Sequence, residues 1–212
     1  MTSETADYIR ASLSEAVERA EDENGDVERC AFERDTLPFM PGRICEFHQC
    51  RFAHCAFSPC EAKRLIFVDC VFEKCDMTGM EFINATFQRA VFQHCRMTGA
   101  QFSQAALMNV SFEECQMDYA NFSNAKAQHV ACTSCAMKES VFYQLKWSDL
   151  TLIRCQLRHA EFSDTPLRGL NVSTCDITGL VVDMKSLRGL KVTPEQALML
   201  SGLLGLDIQS EG

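Results

Sequence analysis

Seven cysteines, Cys55, Cys75, Cys95, Cys115, Cys135, Cys155 and Cys175, recur at intervals of twenty residues without a miss. They sit inside a faster beat. From Phe47 every fifth residue is apolar through to Val192: Phe47, Phe52, Phe57, Ala62, Phe67 and onward, thirty positions in one register. Two residues before each lies a second series of mostly Cys, Ala, Leu, Val or Met, in which Ser140, Thr165 and Lys185 are the polar members. A period of five matches neither the 3.6 of a helix nor the 2 of a plain strand. It matches a short extended segment followed by a bend, with two residues inward and three outward or at the corner. One such unit cannot bury its apolar pair alone and needs neighbours stacked above and below.

The twenty-residue recurrence fixes the size of one coil. The partners of the seven cysteines two residues on are Phe57, Met77, Met97, Met117, Met137, Leu157 and Ile177, whereas the following unit gives Phe82, Phe102, Phe122, Phe142 and Phe162. Each position modulo twenty has its own preference, as four faces per coil require. The expectation is an all-β, four-sided solenoid. Thirty-three units from Phe32 to Val192 imply about eight coils, and at roughly 4.8 Å between stacked strands a rod about 40 Å long. Corner chemistry agrees. Gly79, Gly99 and Gly179 fall after Thr in MTG, MTG and ITG, where a type II turn requires positive φ. Asn84, Gln104, Asn124, Gln144 and Asp164 form another twenty-residue column whose side chains could hydrogen-bond along the rod. The stretch Leu37–Arg43 (LPFMPGR) fits the pattern poorly.

Cysteines at regular spacing could be zinc ligands, disulfide partners or packing residues. Thirteen is an odd number, in a chain whose first 26 residues are acidic and lack an apolar signal segment, so free thiols in a reducing cytoplasm are expected. The inward phase explains the cysteine ladder as small apolar packing. The lone CxxC, Cys132 to Cys135, is weak evidence for metal, since zinc needs four converging ligands. No cofactor and no metal are expected.

With the repeat laid out in this way, the chain is similar to the pentapeptide repeat proteins over residues 29 to 208. Its size and its closing stretch LRGLKVTPEQALMLSGLLGLDI resemble the Qnr type of quinolone-resistance proteins, including the loop-less members of Gram-positive bacteria. The resemblance implies a right-handed quadrilateral β-helix that dimerises through its C-terminus. It further implies a dimer shaped like a segment of B-DNA that binds DNA gyrase or topoisomerase IV and protects them from fluoroquinolones. The register from Phe47 to Val192 leaves no room for the two protruding loops of Gram-negative members, unless an insertion is a multiple of five long.

Three segments follow from this reading: an N-terminal acidic cap or tail (1–28), the repeats (29–192), and a C-terminal helix and tail (193–212). Ile9, Leu13, Ala16, Val17 and Ala20 have helical spacing, ended by Asn24-Gly25; a capping helix and a frayed acidic tail are both open. Thr193, Pro194 and Gln196 spell an N-cap, a first-turn proline and a capping-box glutamine. The helix that follows is apolar nearly all round, so one face is left for a partner. Leu198, Met199, Leu203 and Leu206 are the candidate dimer interface, a monomer with the tail folded over them being the alternative.

Charge bears on partners. Residues 29–192 carry 17 acidic and 18 basic side chains, a balance of +1, while residues 1–28 contribute −7 and residues 193–212 contribute −3 to the total of −9. Duplex DNA of about 40 Å would carry about 24 negative charges, so the coils alone are no electrostatic copy of it. Glu161, Asp164, Asp183 and Asp207 form a candidate acidic partner-binding patch, with ordinary solvating charge as the alternative. The basic residues Arg89, Lys126, Lys146, Arg168 and Arg188 are too dilute for direct nucleic-acid binding. No stretch approaches the roughly 18 apolar residues of a membrane span. The five histidines fall at outward positions over three faces, with no nucleophile, base and orienting acid converging, so a non-enzymatic role is expected. A scaffold for an unrelated cytoplasmic protein, or a thiol-based metal or redox role, are the competing readings.

Overall fold

The computed structural model describes residues 8–22, 26–40, 42–57 and 64–205. Its architecture is a parallel β-solenoid of about seven turns with two short helices. Strand pairing is everywhere parallel and offset by one coil. β1 (Ile9–Arg10) pairs with β3 (Cys30–Glu33), which pairs with β5 (Arg51–Ala53), β7 (Val71–Glu73) and β9 (Val91–Gln93) in turn. A second ladder runs through β2 (Val27–Glu28), β4 (Ile44–His48), β6 (Arg64–Val68) and β8 (Thr86–Gln88). Both merge into the eight-residue strands β10 (Ala106–Glu113), β11 (Lys126–Thr133) and β12 (Lys146–Ile153). The remaining two faces are held by single-residue bridges such as Asp76↔Arg96 and Gln101↔Asn121, each spanning one twenty-residue coil.

The sequence implied about eight coils, one more than the structure forms. The difference lies at the ends. The ladder through Phe47 and Phe67 has seven rungs, from Val27 to Trp147, and beyond Ile153 the chain continues as turns and isolated bridges rather than strands. Register also fails locally in the last coil. Lys185 should point inward but is exposed, and its neighbour Ser186 is buried instead. A lysine has no partner in an apolar core, and a one-residue shift at the corner leaves it in water.

Inward positions otherwise behave as their spacing requires. Phenylalanines stack coil upon coil: Phe52, Phe72, Phe92 and Phe112 with centroids 4.5–4.8 Å apart, and Phe82 through Phe162 at 4.5–5.2 Å. Neighbouring columns meet edge-on, as Phe87 meets Phe92 at 65°. Such offset and T-shaped pairs add about 0.5–1.5 kcal/mol each to simple burial. The buried Ser140 hydroxyl donates to Met117 O, and Thr165 donates to Phe142 O while accepting from Leu145 N–H, so these inward polar groups are satisfied. Trp147 departs from its column. It is too large for the space vacated by Ala127 below it, lies half-buried, and its indole N–H donates to Pro166 O at 2.8 Å.

Most corners use a left-handed residue, Thr174 and Met184 being exceptions in the last coils. Among the described residues, twenty-two non-glycine residues, from Arg29 to Asp164, have φ between 51° and 62°. Each costs roughly 1–2 kcal/mol in isolation, yet the corner amides are recovered as cross-coil hydrogen bonds, such as His54 N–H to Glu73 O at 2.8 Å. None of the twenty-two is β-branched, which this conformation tolerates least. Gly79, Gly99 and Gly179 take φ of 66–70° as the turn demanded. The Asn84, Gln104, Asn124 column is also left-handed, and its regular ladder is of main-chain amides, Asn84 to Ser103 O and Gln104 to Ser123 O, rather than of side chains.

Both ends are covered by helices. α1 (Leu13–Asp22) buries Leu13, Ala16 and Val17 against the first coil, and Leu13 N–H donates to the Asp35 carboxylate at 2.6 Å. Ile9, expected in this helix, instead extends the sheet as part of β1; Asn24 and Gly25 lie outside the described residues. α2 (Pro194–Ser201) has the expected capping box between Thr193 and Gln196, continuing into a 3-10 turn over Gly202–Leu204. The buried Gln196 amide also donates to Val172 O and Cys175 O, closing the last coil.

Candidate interaction surface

The seven-cysteine ladder is a packing column. All seven thiols are buried and free. Each bonds back to a carbonyl 23 residues earlier, Cys75 to Phe52 O at 3.4 Å and Cys135 to Phe112 O at 3.4 Å, so one sulfur sits above the next. Cys75, Cys95, Cys115 and Cys135 are pushed up to about 12, and Cys155 to about 11: the bonds to the two neighbouring sulfurs of the column pull in opposite directions, and burial adds to the rise. Cys132 is raised too, by burial above all and then by neighbouring thiols. These groups are neutral thiols at neutral pH and are poor nucleophiles. Cys60 lies outside the described residues.

The histidines stay outside the core and apart. His94 faces Glu114 at 3.4 Å and His129 faces Asp149 at 2.8 Å, each across one coil. These are two-member pairs between adjacent rungs, with no nucleophile alongside.

The C-terminal end presents the strongest candidate surface. Leu198 and Met199 are each 58% exposed and Leu203 is 41% exposed, all on the outer side of α2 and its terminal turn. Beside them an apolar groove of about 230 Å³ opens between α2 and the last coil, lined by Leu187, Leu190, Val192, Ala197, Leu200 and Ser201. Leu206 and Asp207 lie outside the described residues.

Of the acidic residues singled out by sequence, Glu161, Asp164 and Asp183 come together on adjacent coils. Glu161 bridges to Val181, and Asp164 N–H donates to the Asp183 carboxylate at 2.8 Å. Asp183 also accepts from the Ser186 hydroxyl at 2.6 Å and the Ser186 amide at 2.9 Å. These bonds, the Ser186 hydroxyl first, hold its carboxyl down at about 2. Asp183 therefore brackets the shifted corner as well as carrying charge. Sequence reasoning missed Tyr143, whose phenol is pushed up by burial and then by the charge of Asp164. It also missed Val181 and Met184, exposed apolar residues beside Asp183. Their outward phase in the five-residue register was the available signal.

The pentapeptide repeat region model matches residues 45–122 and 85–162, which together span 118 of the 212 residues. No curated protein sequence matches the chain. Among solved structures it is similar to a trypsin-treated variant of QnrB1, described as a plasmid-mediated fluoroquinolone resistance protein, with 23% identity over 88% of this chain and 90% of that one and a TM-score of 0.38. It is similar also to HetL of the cyanobacterium Nostoc, a pentapeptide repeat protein involved in heterocyst differentiation regulation (14% identity, 85% and 94% covered, TM-score 0.38). A third is Rfr23 of the cyanobacterium Cyanothece (12% identity, 86% and 100% covered, TM-score 0.32). With the five-residue beat buried as the fold requires and the family's repeat model matched over more than half its length, the chain belongs to the pentapeptide repeat family.

Proposed function

We propose that the protein is a non-enzymatic, DNA-mimic-like rod that acts in the cytoplasm by binding type II topoisomerases, DNA gyrase and topoisomerase IV, and protects them from fluoroquinolones. The observation that carries this reading is the pairing of two features at one end: the unpartnered apolar surface of Leu198, Met199 and Leu203, and the nearby acidic group of Glu161, Asp164 and Asp183. A helix apolar on its outer side is stable in water when a second copy covers it. Two copies joined there double the length of the rod and bring two acidic groups toward one seam, where a surface that normally grips DNA finds negative charge. The Qnr-like closing stretch of the sequence supports the same partner. Direct contact with nucleic acid and insertion into a membrane play no part; no helix among the described residues is long and apolar enough to span one.

The decisive assay is gyrase supercoiling in the presence of ciprofloxacin with increasing protein. Rescue at low dose and inhibition at high dose are expected, and the absence of both removes the reading. The dimer is tested separately by sedimentation: Leu198→Glu with Met199→Glu should halve the mass while leaving the melting temperature nearly unchanged, because both side chains are exposed. A monomeric parent protein would refute it.

The near-neutral coils, 17 acidic against 18 basic residues, favour one competing reading, a scaffold that docks an unrelated protein along an outer face. Recovery of such a partner from the native host without gyrase subunits would select it.

A further inference from the structure

At the N-terminal end, three metal-ligating groups converge from adjacent rungs. Asp26 precedes β2, and Glu46 and His48 stand two residues apart on β4, so the strand's alternation puts both on the same outer face. The pairing Val27↔Phe47 and Glu28↔His48 sets Asp26 beside Glu46. His48 Nε2 lies 3.5 Å from Asp26 Oδ2 and 3.4 Å from Glu46 Oε2, and one donor atom from each of the three side chains falls within 4.8 Å of the others. The side chains are 29–42% exposed. The next rung covers them with half-buried Ile66 and Val68, in register with Glu46 and His48.

This geometry is poor as hydrogen bonding and good as coordination. A neutral imidazole can donate its Nε2 proton to only one oxygen, and distances of 3.4–3.5 Å are beyond the usual 2.7–3.2 Å range. Ligands about 2.1 Å from a central ion in tetrahedral array are separated by about 3.4 Å. The two carboxylates also carry a charge that one cation would neutralise. Further round the rod, the Asp69 carboxylate is already engaged by the Arg89 guanidinium at 2.5 and 2.7 Å, which leaves that arginine committed elsewhere.

We propose that Asp26, Glu46 and His48 form a binding site for a divalent transition-metal ion of the zinc class, with water in the remaining positions. One imidazole with two carboxylates suits a borderline ion such as Zn²⁺ or Co²⁺ and disfavours Mg²⁺, which prefers all-oxygen octahedral shells. Because the ligands come from two successive rungs, the ion ties the first coil to the second at the end of the rod. Binding to the folded state alone then raises stability by mass action.

The test uses the full chain. Calorimetric titration with zinc chloride should show one saturable site per chain, with a raised melting temperature, and magnesium chloride should show neither. The variant His48→Gln should lose at least tenfold in zinc affinity, and Asp26→Asn should repeat that loss if the first variant folds poorly. His129→Gln, which removes an unrelated histidine–carboxylate pair on a distant coil, should bind as the parent does. Cobalt loading separates this site from the buried thiols, since oxygen–nitrogen ligation gives weak d–d bands without thiolate charge-transfer absorption. Absence of a saturable zinc site, unchanged affinity in both Asp26→Asn and His48→Gln, or thiolate bands with cobalt would each overturn the proposal.

Discussion

The coils before Phe112 and those after it solve the same packing problem differently. In the earlier coils, phenylalanines line two adjacent faces in continuous stacks, Phe47–Phe67–Phe87 and Phe52–Phe72–Phe92–Phe112, and meet edge-on where the faces join. Leu107 ends the first stack beside Phe112, and in the later coils those two faces carry Ala127 and Trp147, and Cys132 and Leu152. There the core keeps an apolar void of about 20 Å³ among Phe112, Ala127, Val130, Cys132 and Leu152. The Phe82–Phe162 stack and the thiol ladder run through both halves unchanged. A repeat rod is therefore not energetically uniform: two of its four columns set a tight half and a loose half, while the other two tie them together. Stability in such rods is close to a sum of coil and interface contributions, so the difference is measurable coil by coil.

The largest expected effect tests the shared column. Folding keeps Cys75, Cys95, Cys115 and Cys135 protonated up to about 12 and Cys155 up to about 11, against 9.0 for a free thiol. The native state thus holds protons that the unfolded state releases. Their contribution is complete below pH 9 and is lost as pH rises toward 12, at about 1.4 kcal/mol per thiol per pH unit. Summed over several thiols this is a large loss beside the 5–15 kcal/mol of a typical fold, offset in part by Cys55, whose thiol is held below its usual value by its bond with Cys75, so urea midpoints should fall between pH 9 and 11. Because the ladder spans both halves, circular dichroism and Trp147 fluorescence should report one transition. Two separate transitions would mean that the halves are not coupled through this column.

Truncation of the core compares the halves directly. Phe92 is stacked between Phe72 at 4.5 Å and Phe112 at 4.8 Å, and meets Phe87 edge-on. Phe92→Ala should cost about 5 kcal/mol, the upper end for such changes, while Leu152→Ala, beside the existing void, should cost about 2. Equal costs by denaturant titration would erase the distinction between tight and loose cores.

Glycine corners give a smaller contrast. A Cβ on Gly99 would meet no atom within 4 Å, so Gly99→Ala should cost only the left-handed backbone, about 1 kcal/mol. At Gly179 the same φ of 70° is joined by the His159 ring, whose Nδ1 would lie 2.3 Å from the new carbon. Gly179→Ala should cost about 1 kcal/mol more, and Gly179→Ala in a His159→Ala background should return to the Gly99 value.

Much of this was legible in the residues. The five-residue beat placed nearly every inward side chain, and the twenty-residue cysteine column gave the coil length, because both are properties of single positions repeated many times. What escaped depends on neighbours. Trp147 keeps the beat yet turns partly outward, since its fit is decided by Ala127 one coil away. Lys185 keeps the beat too, but the cost of burying its charge exceeds the cost of a shifted corner. Ile9 has helical spacing, and its place in β1 is set by the unpaired edge of β3 that it completes. The acidic trio was found because the repeat puts its three positions on one face, while the adjoining Val181 and Met184 were hidden as single exceptions to an outward polar rule.

The smallest effect is the sharpest test, because it makes one substitution in one column on two successive coils. Val110 and Val130 both point inward one coil apart, at paired positions of β10 and β11. Val130 borders the void, and Val110 does not. A valine-to-isoleucine change adds one methyl-sized group and keeps the β-branched shape that strands favour. At Val130 the new carbon enters space that holds no atoms, gaining burial of about 0.8 kcal/mol. At Val110, buried without that void beside it, the group must displace packed neighbours, which costs about 1 kcal/mol or more. Val130→Ile should therefore raise the urea midpoint and Val110→Ile should lower it. The same sign at both sites would show that the loose half has no usable space, and that its slimmer side chains already pack as closely as the phenylalanines do.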